Sequence, residues 1–432
     1  MWGSVVLSAV VAAVGAPSAP LAVHQEPLIR HLLLPGERVE IRYAVDTPGV
    51  TAPTGTLFVA NVRVPMKLGS FTGTRGREPL LRAVVPSRLV RGTRLSFHAV
   101  IRDPASGRSV SVAPDTAAIL QKPFVVRLGV HRFGRTRAPE AVVARAGAAQ
   151  VGFRTQGDVA GPQTFVVGRD RSIWLQDGLK QRLLEWRAGD PAKIARTVRL
   201  PHFSPDTDFA LGAYGTLYDA WWDTGVLRLD RLTGAGKVLW QSTLASDVTN
   251  TQLRIGPHGT LYSVVGRPGS LGAERGWTPA ATPAGVPYTL DQQRRRDGWP
   301  YQPLPNNGER LLAVLRPPNE MRYAILDREG RPIRAWRILS GTRIAPNATT
   351  PELVGSDVVV VLDVTAQIKG AFRWEYLVLR LGPTGKARVS SLRRAVYGDD
   401  LLADVRVGPD GKLYQLASSP STGVRVNRYS LR

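Results

Sequence analysis

Cysteine is absent from this 432-residue chain. That one absence removes disulfide staples, thiol nucleophiles and cysteine-based zinc sites. Lysine is scarce as well: only eight of the 57 basic residues are lysine, leaving 49 arginines. The six histidines (24, 31, 98, 131, 202 and 258) are far apart, with no spacing suited to a metal. No Gly-x-Ser-x-Gly elbow, phosphate-binding glycine loop or His-Glu-x-x-His stretch occurs, and Ser340 and Ser356 have no identifiable base. After residue 22 no apolar run is long enough for a transmembrane helix.

What is present is a globular composition with a strong charge bias. Apolar residues make up 43% of the chain and include ten Trp, eleven Tyr and ten Phe, enough for sizeable cores. With 43 Gly and 33 Pro the expectation is many short strands joined by turns. The formal charge of +23 would attract carboxylate, sulfate or phosphate polymers in a salt-dependent way. Most basic residues are scattered, and only Arg294-Arg295-Arg296 forms a run. Much of the excess therefore reads as solvated surface.

Residues 1–22 read as an export signal: Val5 to Val14 is an apolar run of the right length, followed by Gly15, Ala16, Ser18 and Ala19. No Lys or Arg precedes the run, so retention as an anchor is the alternative to cleavage. Residues 23–125 form the expected first domain, a β-sandwich of immunoglobulin-like pattern. Its strands are read at Val39–Val45, Thr56–Val64, Leu95–Ile101 and Arg108–Val112, with turns at 46–49 and 103–107. Residues 126–150 read as a connector containing one strand, near Ala141–Arg145.

From 151 to 432 the chain repeats. Leu253-Arg254-Ile255-Gly256-Pro257-His258-Gly259-Thr260-Leu261-Tyr262 is spelled again as Val405-Arg406-Val407-Gly408-Pro409-Asp410-Gly411-Lys412-Leu413-Tyr414. Looser copies begin at Phe165 and Phe209. Turn glycines at 168, 212, 256, 308, 355 and 408 mark six units, each long enough for about four strands. The expected architecture is all-β: an N-terminal immunoglobulin-like β-sandwich followed by a six-bladed β-propeller. The last unit lacks room for a fourth strand, so the one near Ala141–Arg145 is expected to complete it and leave no sheet edge open.

The stretch from Gly161 to Asp177, followed by Gln181–Trp186, resembles an NHL repeat. Gly215-Thr216-Leu217-Tyr218, with Leu229–Gly234 and Lys237–Trp240, resembles the repeat of pyrroloquinoline-quinone-type propellers. Both resemblances imply a β-propeller and neither selects an activity, since both families hold enzymes and binding scaffolds. In quinone enzymes of that kind the cofactor sits between a Trp and vicinal cysteines, which this chain lacks. A lactonase-type propeller would need a Glu, an Asn and an Asp on one metal; Glu352, Asn250 and Asp206 are candidates, but no spacing selects them.

The segment 267–305 departs from the repeat and reads as a long Pro/Gly-rich insertion. It carries the expected ligand-binding residues Trp277, Tyr288, Arg294, Arg295, Arg296, Trp299 and Tyr301, since aromatic faces beside guanidinium groups suit sugars and anionic polymers. The structural alternative is a loop folded over one end of the propeller with its aromatics packed beneath. Asp206 and Asp208 are the candidate ligands for Ca²⁺, weighed against ordinary turn capping. His258 sits where Asp410 does in the sister repeat and reads as a turn residue.

The functional expectation is an exported, monomeric binding or scaffold module with no cofactor beyond a possible Ca²⁺. Its partner would be an extracellular polymer or a protein, not nucleic acid. The alternative is a metal-dependent hydrolase, lactonase or lyase working at the channel mouth. A channel filled by side chains, with a basic aromatic outer face, would favour binding; bound Ca²⁺ and convergent carboxylates at one end would favour the enzyme.

Overall fold

The computed structural model describes residues 21–25, 32–73, 76–156, 159–202, 207–245, 251–266, 275–295, 302–305, 309–316, 318–345, 351–397 and 404–431. The expected export signal lies almost wholly outside them. No helix among the described residues is long and apolar enough to cross a membrane. The fold is all-β, and among the described residues one short α-helix, Leu290–Arg295, interrupts the strands.

Two compact units divide the chain. The smaller comprises 1–28, 36–91 and 95–116; the larger comprises 29–35, 92–94 and 117–432. In the smaller unit Val39–Val45 lies between Val23–Gln25 and Gly76–Val85, with Lys67–Gly73 beyond the latter. A second sheet places Thr54–Val59 between Val62–Pro65 and Arg94–Arg102, with Ser109–Ser111 on the far side of the last. Alternation drives the burial: Leu95, Phe97, Ala99 and Ile101 point inward from one strand, and Ile41 and Tyr43 from another.

The smaller unit ends earlier than the 23–125 read from the sequence. Asp115–Ile119 pairs in parallel with Leu32–Leu33, and Leu32, Ala118 and Leu120 join Leu312, Val314 and Leu326 in a core of the larger unit. The connector also supplies two strands where one was expected. Phe124–Gly129 runs parallel to Pro332–Ser340, a pairing that the hairpin repeat gives no reason to expect. Further along, His131 Nε2 lies 2.8 Å from Glu375 Oε2 and the Gly134 N–H donates to Glu375 Oε1, pinning the connector to Ala371–Leu381.

Among the described residues the larger unit holds six meandering sheets in chain order, antiparallel but for one parallel pairing in the fourth. The first is Phe165–Val167, Ile173–Asp177, Arg182–Trp186 and Arg196–Arg199. The second is Phe209–Leu211, Leu217–Asp223, Val226–Leu232 and Val238–Thr243. Gln252–Ile255, Leu261–Gly266 and Arg275–Ala281 make the third. Gln302–Pro303, Arg310–Arg316, Glu320–Leu326 and Pro332–Ser340 make the fourth, to which Phe124–Gly129 adds. In the fifth, Arg343–Ile344 and Glu352–Val354 both pair with Asp357–Ile368, followed by Ala371–Leu381 and Ala387–Arg393. The sixth is Val405–Val407, Leu413–Ser419, Gly423–Tyr429 and Ala141–Ala146, the last pairing antiparallel with Gly423–Tyr429.

The repeated turn has a steric cause. A Cβ at Gly212 would lie 2.8 Å from Tyr218 Cε2, and one at Gly256 would strike the ring of Tyr262; Gly408 and Tyr414 repeat the arrangement. Each aromatic six residues after the glycine lies over the space that glycine leaves, so the two residue types recur together. His258 takes up φ 60° in one of these turns, a left-handed position that a turn residue must fill.

Neighbouring sheets share cores. Trp174, Leu183 and Val198 of the first sheet pack with Phe209, Leu217 and Leu232 of the second. Tyr218, Ala220 and Leu229 continue to Leu253, Leu261 and Ala280 of the third. Tyr323 and Trp336 of the fourth meet Val358, Val360 and Leu379 of the fifth, and Val359, Val361 and Tyr376 meet Val405, Leu413 and Tyr429 of the sixth. Arg275–Ala281 of the third sheet contacts Gln302–Pro303 of the fourth. The sixth sheet returns to the first: Ala144, Tyr414, Leu416 and Val426 pack on Phe165, Leu175, Leu184 and Trp186.

Candidate functional site

The first strands carry the most concentrated polar chemistry of the interior. Those of the sixth, first, second and third sheets contact one another in turn, and Thr207 bridges in parallel to Thr251. Four residues before the turn glycine stands a buried polar side chain in four of the repeats: Thr164, Asp208, Gln252 and Asp404. Two residues before it, in two of them, stands an arginine, Arg254 and Arg406.

These residues form one network around Asp208, which is fully buried. Its Oδ1 accepts from the Thr164 hydroxyl at 2.6 Å, and its Oδ2 from the Leu253 N–H at 3.1 Å and from Arg254 Nη1 at 3.1 Å. Arg406 Nη2 lies 3.0 Å from each oxygen and 3.1 Å from Thr164 Oγ1. Arg254 Nη2 donates to Gln252 Oε1 at 2.8 Å. Glu352, half-buried on the fifth sheet, completes the set: burial pushes its carboxyl up, while Arg254 and Arg406 pull it down. Five of the six sheets thus contribute a residue at or next to the first strand.

Two arginines face one carboxylate that answers both, and Asp208 has its lone pairs spent on four partners. Arg406 Nε is buried and has no hydrogen-bond partner among the described residues. The next carboxyl outward, Asp219, is held well above the usual carboxylate range by burial and then by Asp230 and Asp208, and it accepts from Gln176 Nε2 at 3.3 Å. Such a cluster favours negative charge and offers little to a cation. Among the described residues no group of three or more His, Cys, Asp or Glu side chains is placed to hold a metal.

Asp404 behaves differently. Burial pushes its carboxyl up to about 6, against the opposing pull of the Tyr376 hydroxyl, which donates at 2.7 Å, and of Arg394. A carboxyl whose folded pKa is raised favours folding while protonated, so its contribution is present at pH 4 and is lost as pH rises through 6. The shift corresponds to about 3 kcal/mol across that window. Urea midpoints measured from pH 4 to 7 should fall with pH on this account, and Asp404→Asn, which can still accept from Tyr376, should flatten that slope. An unchanged slope would show that Asp404 ionises normally.

The sequence-read candidates are dispersed. Trp277 is 4% exposed in the third sheet, edge-on to Tyr262 at 5.7 Å, and serves as core. The segment read as an insertion is partly sheet, because Trp277, Ala280 and Ala281 give Arg275–Ala281 an apolar face and Pro279 is tolerated in the last described strand of its sheet. Tyr288 is half-buried; its N–H donates to the Ala280 carbonyl, and its own carbonyl accepts from Gln293. Gln293 also bridges to Ala245 and Thr243, while Trp240 and Arg231 donate to the Gly285 carbonyl, so this segment is fastened to the second sheet. Arg294 and Arg295 end the short helix. Arg296, Trp299, Tyr301, Asp206 and Asn250 lie outside the described residues. Among the described residues the structure joins Asp208 to Arg254, Arg406 and Thr164, which the sequence reading passed over, and sets Glu352 near the two arginines.

No family model matches the chain, and no curated protein does. Among solved structures it is similar to an endo-arabinase from Bacteroides thetaiotaomicron VPI-5482, at 10% identity and a TM-score of 0.28, over 68% of this chain and 99% of that one. At that score the likeness carries no argument.

Proposed function

We propose that the chain is an exported, non-catalytic binding module: an immunoglobulin-like β-sandwich followed by a six-bladed β-propeller whose ligand is an anionic polymer. The propeller reading is supported by the successive sharing of cores and by the return of the sixth sheet to the first. The observation that carries the function is the cluster itself. Residues from five sheets converge at one place, as the inner strands of blades do around an axis, and there Asp208 is paired with Arg254 and Arg406. A hydrolase working at that axis would need carboxylates free to grip a cation or a water, and Asp208 is engaged by two guanidinium groups. With the axis filled by its own ion pairs, the outer surface with its arginine excess is left to meet the ligand.

The test is retention of the full chain on immobilised polygalacturonate, with dextran as the neutral control. Polygalacturonate should retain it and dextran should not, with affinity falling at least about tenfold between about 50 and 200 mM salt. Salt-insensitive retention, equal retention on dextran, or chain cleavage of either glycan would overturn the reading.

A further inference from the structure

The fifth sheet carries an outgrowth that the repeat does not require. Asp357–Ile368 and Ala371–Leu381 pair continuously from Val358↔Leu381 to Ile368↔Ala371. Their flanking strands stop short: Ala387–Arg393 pairs only as far as Glu375, and Arg343–Ile344 only as far as Thr365. Residues 366–373 therefore project as a two-stranded ribbon. It turns through Lys369 at φ 50° and Gly370 at φ 79°, the pair of left-handed residues that matches a tight turn to the twist of its strands.

The tip of this ribbon is apolar and cationic. Phe372 is 67% exposed and Ile368 38%. Lys369 and Arg373 are exposed, and no acidic residue occurs from Ala366 to Trp374. Trp374 stands edge-on to Phe372 at 6.2 Å, with the Arg394 guanidinium 3.8 Å from the centre of its ring. The nearest acid along the strand, Glu375, is held by His131, Gly134 and Ser391. Strand alternation puts Phe372 and Trp374 on one face and Ile368 and Arg373 on the other. Both faces thus offer an apolar group beside a cation, at the end of a tight turn.

We propose that this ribbon tip is a membrane-surface contact that seats Phe372 and Ile368 among the headgroups of an anionic phospholipid bilayer. Charge complementarity selects the lipid: Lys369 and Arg373 sit at headgroup level when the two apolar side chains enter, with aromatic and basic residues at the interface. A planar sugar is the poorer fit, because the two rings stand at 87° and the indole already carries a guanidinium. Attachment of this kind lies on the bilayer and needs no spanning segment. It is independent of the polymer reading above.

The experiment is co-sedimentation of the full chain with vesicles of phosphatidylglycerol and phosphatidylcholine, compared with phosphatidylcholine alone. Binding is expected only with the anionic lipid. Phe372→Ser should weaken it by about tenfold or more, and Lys369→Gln and Arg373→Gln by about fivefold each. Phe372→Ser should leave the melting temperature and polygalacturonate retention unchanged, which separates failure of this inference from failure of the polymer reading. Equal binding to neutral vesicles, wild-type binding by Phe372→Ser, or loss of glycan retention in that variant without loss of vesicle binding would overturn the proposal.

Discussion

Asp208→Asn should destabilise the larger unit by about 3–5 kcal/mol, because it removes the one charge that two buried guanidinium groups share. Asparagine keeps the shape, but its single carbonyl oxygen can accept from Thr164 or from the Leu253 N–H and its amide nitrogen then faces the other donor, so the loss reports charge and one hydrogen bond rather than volume. Arg254 and Arg406 then lose the buried carboxylate they share, and burial disfavours ionising Glu352, whose charge both would favour. Thr164→Val removes the hydroxyl that donates to Asp208 and accepts from Arg406, and should cost about 1–3 kcal/mol. Combining Asp208→Asn with Arg406→Met should recover part of the loss, since the second change withdraws the stranded charge; a coupling of about 0.5–3 kcal/mol is expected for residues in direct contact. Urea unfolding of the unmutated protein, of Asp208→Asn, Thr164→Val and Arg406→Met singly, and of the double variant measures all of this. A loss for Asp208→Asn within about 0.5 kcal/mol of the unmutated protein, the range of ordinary surface substitutions, would mean that the cluster is effectively solvated.

Much of the repeat was legible because its cause is local. Glycine followed six residues later by an aromatic marks a turn that only glycine can make beneath a ring, and Gly212, Gly256 and Gly408 meet that condition. Alternation likewise placed Val39–Val45, a strand-length run placed Leu95–Ile101, and the short last unit pointed to the strand near Ala141. The arginines of the cluster were in plain view inside the two most similar repeats, yet an arginine between apolar residues on a short strand reads as a solvated side chain. Its partner, Asp208, comes from a different repeat, and nothing local ties 208 to 254 or to 406. The usable signal was positional: a polar residue four before the turn glycine in four of the six repeats, where an outward-facing strand has no need of one. Phe124–Gly129 was missed for a related reason, since its partner stands 212 residues away and its parallel register leaves no hairpin signature. Trp277 drew attention as an aromatic among arginines, and only the register with Leu261–Gly266 shows it to be core.

The closing strand can be tested at one atom. Gly423 opens Gly423–Tyr429 at φ 84°, and a Cβ there would fall on the Ala146 carbonyl oxygen and the Gly147–Ala148 peptide. All of those neighbours are backbone, at the end of the strand that pairs the sixth sheet with a segment some 280 residues earlier. Gly423→Ala must either strain the left-handed residue and displace Ala141–Ala146, or break the register between them. Gly330→Ala is the matched control, with φ 81° and open space around the added methyl. The control should cost about 1–2 kcal/mol, the price of a left-handed alanine. Gly423→Ala should cost about 2–3 kcal/mol beyond that, in the range for a clash in a packed interior, and should open the 141–150 segment to limited proteolysis. Two equal losses would mean that Ala141–Ala146 contributes nothing to holding the sheets together. A larger loss with new cleavage near residue 147 would show that the strand upstream of the repeats locks them.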